Sequence, residues 1–177
     1  MKRSTTTTKR APLFELGPKP TELPEDDLLL YEAMSPHGCF LILRPQKAPR
    51  TGISELDEQQ EVVYMLRLRD EVVMSVPNDE ERDKAAASKS KRAGLLKGAS
   101  DLVWVRGSGH TAYIEMKRSG ESMEAIRPEQ VTFLGKCARR GHLAVVCFGF
   151  RAARYLINNV EAFTTYSKQL NEGAQGG

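Results

Sequence analysis

The sequence has no long hydrophobic run, which excludes one class of protein, and we expect no secretory leader. Among its 177 residues no apolar stretch approaches the roughly 20 that a membrane-spanning helix needs. The basic start, MKRSTTTTKR, is not followed by an apolar segment, so we expect no secretory signal. We therefore expect a protein without membrane contact that stays in the cytoplasm.

Cysteine is scarce and the net charge is small. The three cysteines are odd in number, and the spacing of Cys39, Cys137 and Cys147 matches no zinc site. We therefore expect reduced, mostly buried thiols rather than a disulfide framework. The net charge of +3 is too small to identify a partner. A hydrophobic fraction of 40% is that of an ordinary globular protein.

Basic residues nevertheless cluster in one stretch of the chain. The segment AAASKSKRAGLLKG contains four basic residues and no acid: Lys89, Lys91, Arg92 and Lys97. Such a run suits contacts with nucleic-acid phosphates, and a solvated helix face is the alternative interpretation.

The order of the predicted elements indicates an α/β fold. Residues 1 to about 25 lack periodicity and are rich in Thr, Pro, Lys and Arg, which is typical of a loosely attached arm. The later run FLIL could be part of a hairpin or a lone strand on the main sheet. From residue 51 the pattern predicts helix, strand, helix, strand, strand, helix, strand and helix. We expect an N-terminal arm and extension over 1–50, a main domain over 51–165 and a flexible tail over 166–177.

The segment SELDEQQEVVYMLRLRD is the clearest predicted helix. Ser54 can cap its start, and Asp57 lies three residues on, where a capping carboxylate is useful. On a helical wheel Glu55 falls within roughly 20° of the centre of the apolar stripe. Glu58 lies about 80° from that centre and Glu61 faces mostly away. We expect Glu55 to face the interior, although the helix dipole alone would also explain an acid in the first turn.

Two strands of a predicted hairpin, DLVWV and TAYIEMK, carry acids that strands normally avoid. Alternation along TAYIEMK puts Glu115 and Lys117 on one face, and Asp101 begins the neighbouring strand, about 4.8 Å away. With an inward Glu55, three carboxylates and one lysine would meet. Like charges so close need protonation or a cation, and oxygen ligands without a His or Cys set favour Mg²⁺ over zinc.

These residues resemble the PD-(D/E)xK nuclease superfamily. Asp101 is followed fourteen residues later by Glu115-Met116-Lys117, which is similar to the Asp…Glu-x-Lys signature of that superfamily. The runs GLLKGASDLVWV, YIEMK and RPEQVTFLGKCARRGHLAVVCFG resemble its VRR-NUC branch, in which a glutamine, here Gln130, opens the next helix.

The likeness covers about residues 53–150, with Ser100 where the branch more commonly has proline. It implies a restriction-endonuclease-like fold, a mixed central sheet flanked by helices, here with an N-terminal extension. The implied activity is metal-dependent hydrolysis of DNA phosphodiester bonds, selective for branched DNA such as four-way junctions. Stand-alone members are often encoded by phages or mobile elements, which would place the enzyme in the host cytoplasm. Selectivity for branches implies a homodimer with paired sites.

The resemblance also implies a role for each residue of the hairpin site. Glu55, Asp101, Glu115 and the main-chain carbonyl of Met116 would hold Mg²⁺ or Mn²⁺. Lys117 would position or help to deprotonate the attacking water, and Gln130 would orient the water or the lysine. The four basic residues of the cluster at 89–97 would contact the DNA backbone without reading bases.

Two other functions remain open at this level. A non-catalytic nucleic-acid-binding module could keep the same fold, although carboxylates that repel phosphate do not help a pure binder. An RNA-directed nuclease is also compatible, because no residue of the sequence distinguishes ribose from deoxyribose.

Overall fold

The computed structural model describes most of the chain between Phe14 and Gly173. The described residues are 14–17, 21–23, 27–47, 52–77, 94, 96–107 and 109–173. The predicted helix NDEERDKAAASKSKRAG, except for its last residue, lies outside them, and so do Lys89, Lys91 and Arg92. None of the helices in these ranges is long and apolar enough to cross a membrane.

The described strands join in a single mixed sheet. In chain order they are β1 (Glu15–Leu16), β2 (Thr21–Leu23), β3 (Leu28–Ser35), β4 (Gly38–Pro45), β5 (Val72–Ser75), β6 (Leu102–Val105), β7 (Thr111–Lys117) and β8 (Leu143–Phe148). Their order across the sheet is β1-β3-β4-β8-β7-β6-β5, and β2 also pairs with β3.

The centre of the sheet is parallel and its sides are antiparallel. Strands β4 and β7 both run parallel to β8, whereas the pairs β3–β4, β6–β7 and β5–β6 are antiparallel. Every residue of β8 is buried, as expected for a strand that is covered on both faces. The carboxyl ends of β4, β8 and β7 therefore meet at one edge of the sheet.

Within the described ranges four α-helices flank this sheet: α1 (Glu55–Leu68), α2 (Pro128–Arg139), α3 (Phe150–Asn158) and α4 (Val160–Gly173). The Ser54 side chain accepts a hydrogen bond from the Asp57 amide at the start of α1, and the Asp57 carboxylate accepts one from the Ser54 amide. The predicted cap is therefore confirmed. An α/β fold with a mixed sheet flanked by helices is confirmed as well.

The two faces of the sheet form separate cores. Helices α1, α3 and α4 pack on one face, where Val62 and Leu156 belong to the same cluster as Met116. Helix α2 packs on the other face, where Leu134 clusters with Phe148. Because side chains alternate along a strand, Glu115, which follows the buried Ile114, lies on the α2 face.

Residues 28–45, which the expected boundary places in the N-terminal extension, belong to the same sheet as the main domain. Strands β3 and β4 form a hairpin, and β4 pairs with β8 in the middle of the sheet, with Leu41 opposite Val145. This pairing joins distant parts of the chain, so no local pattern of the sequence indicates it.

The single final helix that the sequence predicts is two helices in the structure, and residues 166–173 of the expected flexible tail are helical. Helix α3 ends at Asn158, and after Asn159 helix α4 runs from Val160 to Gly173. The Asn171 side chain is 5% exposed; it accepts a hydrogen bond from the Cys39 amide and donates one to the Cys39 carbonyl, both at 2.9 Å. The segment is buried through polar residues with satisfied hydrogen bonds, which a search for apolar periodicity does not detect.

Candidate functional site

The β6–β7 hairpin brings Asp101 and Glu115 together, as predicted. Leu102 pairs with Ile114, so Asp101 lies directly before β6 and opposite Glu115. Asp101 is 1% exposed and Glu115 is 0% exposed. The Asp101 carboxylate accepts a hydrogen bond from the Met116 amide, with 2.8 Å between Oδ2 and N, which fixes its position across the ladder. The Asp101 and Glu115 side chains therefore lie next to each other in the interior of the protein.

The two carboxylate oxygens of Glu115 have different surroundings. Oε1 accepts hydrogen bonds from Lys117 Nζ, at 2.7 Å, and from Gln130 Nε2. Oε2 is buried and, apart from a proton that the Glu115 carboxyl group can share with Asp101, receives no hydrogen bond from any residue that the structure describes. Because a buried acceptor without a donor is unfavourable, Oε2 is the atom of the site that most needs a proton or a cation.

The acidic pair holds a proton more tightly than isolated carboxyl groups do. Burial first, and then the charge of Asp101, raise the pKa of Glu115 to about 8 against the lowering effect of Lys117. A side-chain hydrogen bond with Asp101 acts in the same direction. Two carboxyl groups can share a hydrogen bond only when one of them is protonated. The pair therefore retains a proton near neutral pH or binds a cation in its place.

Lys117 is a buried ammonium group that the acids keep charged. Burial alone would lower the pKa of Lys117, but the charge and hydrogen bond of Glu115, followed by the charges of Glu55 and Asp101, raise it. A lysine held in its charged form cannot take a proton from water. Lys117 is therefore arranged to offset negative charge, and the alternative role in deprotonating water would first require its release from Glu115.

Gln130 contacts Glu115 directly. Its side chain is 0% exposed, and its Oε1 accepts a hydrogen bond from the Arg127 amide at 2.8 Å. This bond fixes which end of the amide faces the hairpin, so that Nε2 donates to Glu115 Oε1. The resemblance implies that Gln130 orients the attacking water or Lys117, whereas its observed partner is the Glu115 carboxylate.

Glu55 lies at the rim of the acidic pair. Its Oε2 accepts a hydrogen bond from the Arg118 amide at 3.2 Å, just beyond the end of β7. Burial raises the pKa of Glu55, the charge of Lys117 lowers it, and the charge of Asp101 raises it again. Glu55 is therefore within electrostatic reach of the hairpin site, as the helical wheel predicted.

Glu58 also faces the interior, and the expectation that it lies off the buried side is wrong. It is 6% exposed and accepts a hydrogen bond from the Ser119 amide at 3.1 Å. The loop after β7 covers the first turn of α1. A helical wheel shows only which side of a helix a residue faces, so it does not predict that a loop buries the end of the helix. Leu56, an apolar residue of the same turn, is 59% exposed.

Gly149 joins β8 to α3 beside these glutamates. Its φ of 87° lies in the left-handed region, and its amide donates to the Lys117 carbonyl at 2.8 Å. A Cβ at this position would lie 2.9 Å from Ser119 Cβ and 3.0 Å from Glu58 Oε1. Glycine thus allows the β8–α3 corner to pack against the loop that holds Glu58.

The N-terminal ends of three helices converge on this edge of the sheet. Glu55 is the first residue of α1, Gln130 is the third residue of α2, and Gly149 caps α3. Each contacts β7 or the residue that follows it. Helix N-termini carry partial positive charge and favour anions. The edge therefore suits both its own carboxylates and a negatively charged ligand.

The oxygen atoms of the site fit a hard divalent cation, although few of them are ready-made ligands. Among the described residues no group of three or more His, Cys, Asp or Glu side chains forms a metal cluster. The open Oε2 of Glu115 beside Asp101 is the kind of ligand that Mg²⁺ or Mn²⁺ uses. Mg²⁺ keeps several waters and commonly needs only one or two carboxylates. A main-chain oxygen such as that of Met116 would complete the set, and Glu55, whose Oε2 accepts from the Arg118 amide, would join it from the rim of the acidic pair.

The expected DNA contact of Lys97 is not supported by its surroundings. Lys97 is the only member of the basic cluster within the described ranges, and its Nζ pairs with the Glu129 carboxylate at the start of α2. Gly98 follows with a φ of 79°, and a Cβ there would lie 2.4 Å from the main-chain carbon of Glu129. This segment therefore packs on α2 and leads the chain towards Asp101.

Arg44 on β4 is a basic residue at the same edge of the sheet, and it was not among the predicted site residues. Its guanidinium lies over the Phe148 ring, 5.3 Å from the centroid, and Phe148 pairs with Lys117 across β8 and β7. Only the long-range pairing of β4 with β8 puts Arg44 here, so no local signal could have found it.

Known proteins give no separate indication of what this site does. No protein-family model matches the chain, and no curated protein or solved structure shows significant similarity to it.

Proposed function

We propose that the chain is a metal-dependent endonuclease that hydrolyses phosphodiester bonds of DNA at the edge formed by β7, α1 and α2. One observation carries the proposal. Glu115 Oε2 is buried without a donor among the described residues and lies beside Asp101, while Oε1 of the same carboxylate is held by Lys117 and Gln130. A purely structural acid would be expected to have both oxygens satisfied.

The residues divide the chemistry between them. When bound, a divalent cation lowers the pKa of a coordinated water and offsets charge on the phosphate. Asp101 and Glu115 hold this cation. Lys117 stays protonated and stabilises the negative charge that builds on the phosphate oxygens. Gln130 holds Glu115 Oε1 in place, so that the open oxygen keeps its direction.

A phosphodiester substrate is supported by the charge of the surroundings. Carboxylates alone repel phosphate, but a buried ammonium group and the converging N-termini of α1, α2 and α3 oppose that repulsion. The site also provides no His or Cys side chain among the observed partners of Asp101 and Glu115 in the described residues. Oxygen ligands of this kind favour Mg²⁺ or Mn²⁺.

The preference for branched DNA and the homodimer belong to the same proposal. Both rest on the resemblance of the hairpin and the α2 segment to the VRR-NUC branch. A two-fold dimer would present two such edges, which is the arrangement needed to cut two strands that meet at a junction.

A cleavage panel tests this function. Linear duplex, nicked duplex, single-stranded DNA, a four-way junction and an RNA duplex are incubated with the full chain in Mg²⁺, in Mn²⁺ and in a chelator. We expect metal-dependent cleavage of DNA, strongest on the junction. Binding without cleavage in either metal would favour the non-catalytic module, and cleavage confined to RNA would favour the RNA-directed nuclease.

A further inference from the structure

We propose that Arg44 binds a second phosphate of the strand that is cut, beside the phosphate at Glu115 and Lys117. This inference rests on the proposed nuclease function. It assigns a substrate contact to the β3–β4 hairpin, which lies outside the part of the chain that resembles a nuclease.

Arg44 and Lys117 share one face and one edge of the sheet. Leu43 pairs with Cys147 and Lys117 pairs with Phe148, so Arg44, Phe148 and Lys117 stand at one level on three adjacent parallel strands. Two spacings of about 4.8 Å separate the backbones of Arg44 and Lys117 by roughly 10 Å. A nucleic-acid strand that crosses the ends of these strands would pass both cations.

The guanidinium of Arg44 is oriented but not engaged by a charged partner. It lies over the Phe148 ring, 5.3 Å from the centroid, which restricts its position through a cation–π contact. Within the described ranges the side chain of Arg44 takes part in no ion pair and no hydrogen bond. A guanidinium has five donors in a planar fork, and that fork matches two oxygens of a phosphate. The group is therefore prepared to bind an anion.

A cavity of about 540 Å³ opens between Arg44 and the loop that follows β7. The loop residues that line it are Gly120, Glu121, Ser122, Met123 and Ala125. Its size is in the range of pockets for small ligands, about 300 to 1,000 Å³. Glu121 is the acidic residue of this lining and forms no ion pair with Arg44. The cavity starts three residues beyond Lys117, so it continues the site along the sheet edge.

The separation limits which phosphate Arg44 can reach. One strand of duplex DNA carries a phosphate for each 3.4 Å or so of helix axis. Roughly 10 Å then corresponds to at most about three nucleotides. The phosphate bound by Arg44 is therefore within three nucleotides of the bond that is cut.

Phosphate neutralisation tests this contact. Single methylphosphonates, which remove the charge of one phosphate, are placed at each of the three positions on either side of the cleavage point. Binding of each DNA to the full chain is measured by fluorescence anisotropy in Ca²⁺, and single-turnover cleavage is measured in Mg²⁺. The proteins are the wild type, Arg44→Gln, Arg44→Lys and Arg67→Gln. Arg67 is an exposed arginine in the last turn of α1, about 18 Å along the helix from Glu55.

We expect neutralisation at one of these positions to weaken binding by the wild type roughly tenfold. Arg44→Gln should bind the unmodified DNA about tenfold more weakly, and it should be insensitive to that one neutralised phosphate. The slope of its logarithmic binding constant against salt should decrease by about 1. Arg44→Lys should recover part of the binding, and Arg67→Gln should behave as the wild type.

The outcomes separate the two proposals. Wild-type cleavage that is unaffected by neutralisation at all six positions would overturn the Arg44 contact and leave the nuclease intact, even if Arg44→Gln failed to fold. Equal sensitivity of the wild type and folded Arg44→Gln to the same methylphosphonate would also overturn it. Absence of any cleavage by the wild type would contradict the nuclease function. If Arg44→Gln then also bound every DNA as tightly as the wild type does, the phosphate contact would be overturned as well.

Discussion

Lys117 Nζ lies 2.7 Å from Glu115 Oε1, and both side chains are buried at the end of β7. Because the two residues are separated by a single residue on one strand, they share a face, and their pairing is local. The ion pair uses only one oxygen of the carboxylate. The second oxygen, Oε2, remains beside Asp101. One oxygen of Glu115 is thus held by the Lys117 ammonium group, and the other stays available for a ligand.

Loss of the buried ammonium group should impair both cleavage and metal-free stability. Lys117→Met keeps much of the side-chain volume and removes the charge, so we expect single-turnover cleavage to fall roughly 10² to 10³-fold. Glu115 is then buried without its cation, which is destabilising at pH 9, where the wild-type carboxyl group is ionised, and much less so at pH 5, where it is protonated in both proteins. Chemical denaturation at both pH values measures the second effect.

The control for this variant is Lys97→Met, which removes an exposed lysine paired with Glu129. Exposed ion pairs contribute about 0 to 1 kcal/mol, so its stability should depend little on pH. A similar pH dependence in both variants would show that burial at Lys117 is not the cause.

The metal-free protein should become less stable as the pH rises. The pKa of Glu115 is raised from 4.5 to about 8, so the folded protein holds a proton that the unfolded chain has lost. The stabilising effect is complete below about pH 4.5 and is lost as the pH approaches 8. The free energy of unfolding in a chelator should therefore fall across that window by a few kcal/mol at most, roughly 2 to 5.

The difference between the wild type and Glu115→Gln isolates this effect from other titrating groups. The variant has no carboxyl proton to lose at this position, so the difference profile should follow the raised pKa. Mg²⁺ should reduce the wild-type decline, because metal binding replaces the proton and strengthens as the carboxyl group deprotonates. A difference profile that is flat from pH 4.5 to 8 would contradict the assignment of the shared proton.

Local geometry explains which parts of this site the sequence could predict. The hairpin and its acids follow from strand alternation over a short turn, and Gln130 follows from a helix start that Pro128 marks. Burial of Glu58 and the position of Arg44 depend on a loop that covers a helix end and on a strand pairing between residues far apart in the chain. Neither contact leaves a periodic signal. For the same reason β4 is central in the sheet although its sequence alone does not distinguish a lone strand from a hairpin.

The glutamates of α1 should separate into a functional and a structural residue. Glu55→Gln should lower cleavage and metal affinity while leaving metal-free stability unchanged or slightly higher, because burial, the largest influence on the pKa of Glu55, disfavours the charged carboxylate. Glu58→Ala should cost about 1 to 3 kcal/mol of stability, because the Ser119 amide loses its acceptor. Glu61→Gln, on the exposed side, is the control. Full cleavage by Glu55→Gln would exclude that residue from the site.

The β8–α3 corner should tolerate glycine alone. Gly149→Ala places a Cβ 2.9 Å from Ser119 Cβ at a φ of 87°, so we expect a loss of about 1 to 3 kcal/mol in the free energy of unfolding. Gly141→Ala is the matched control, since Gly141 also has a positive φ, 82°, and a Cβ there meets nothing within 4 Å. Thermal unfolding of the two variants gives the comparison, and equal Tm values would show that the close approach is not required.

The most direct test of the account is single-turnover cleavage by the wild type, Asp101→Asn and Glu115→Gln with Mg²⁺, together with a measurement of Tm for each protein. Both substitutions remove a charge with little change in shape, and both should abolish cleavage while the protein remains folded. Asn171→Ala, which removes the buried hydrogen bonds to Cys39 at the opposite end of β4, serves as a variant that lowers stability without altering the acidic pair. Wild-type cleavage with activity lost in the two acid variants and kept in Asn171→Ala is the predicted result. Cleavage retained by a folded Glu115→Gln or Asp101→Asn protein in Mg²⁺ would contradict the account.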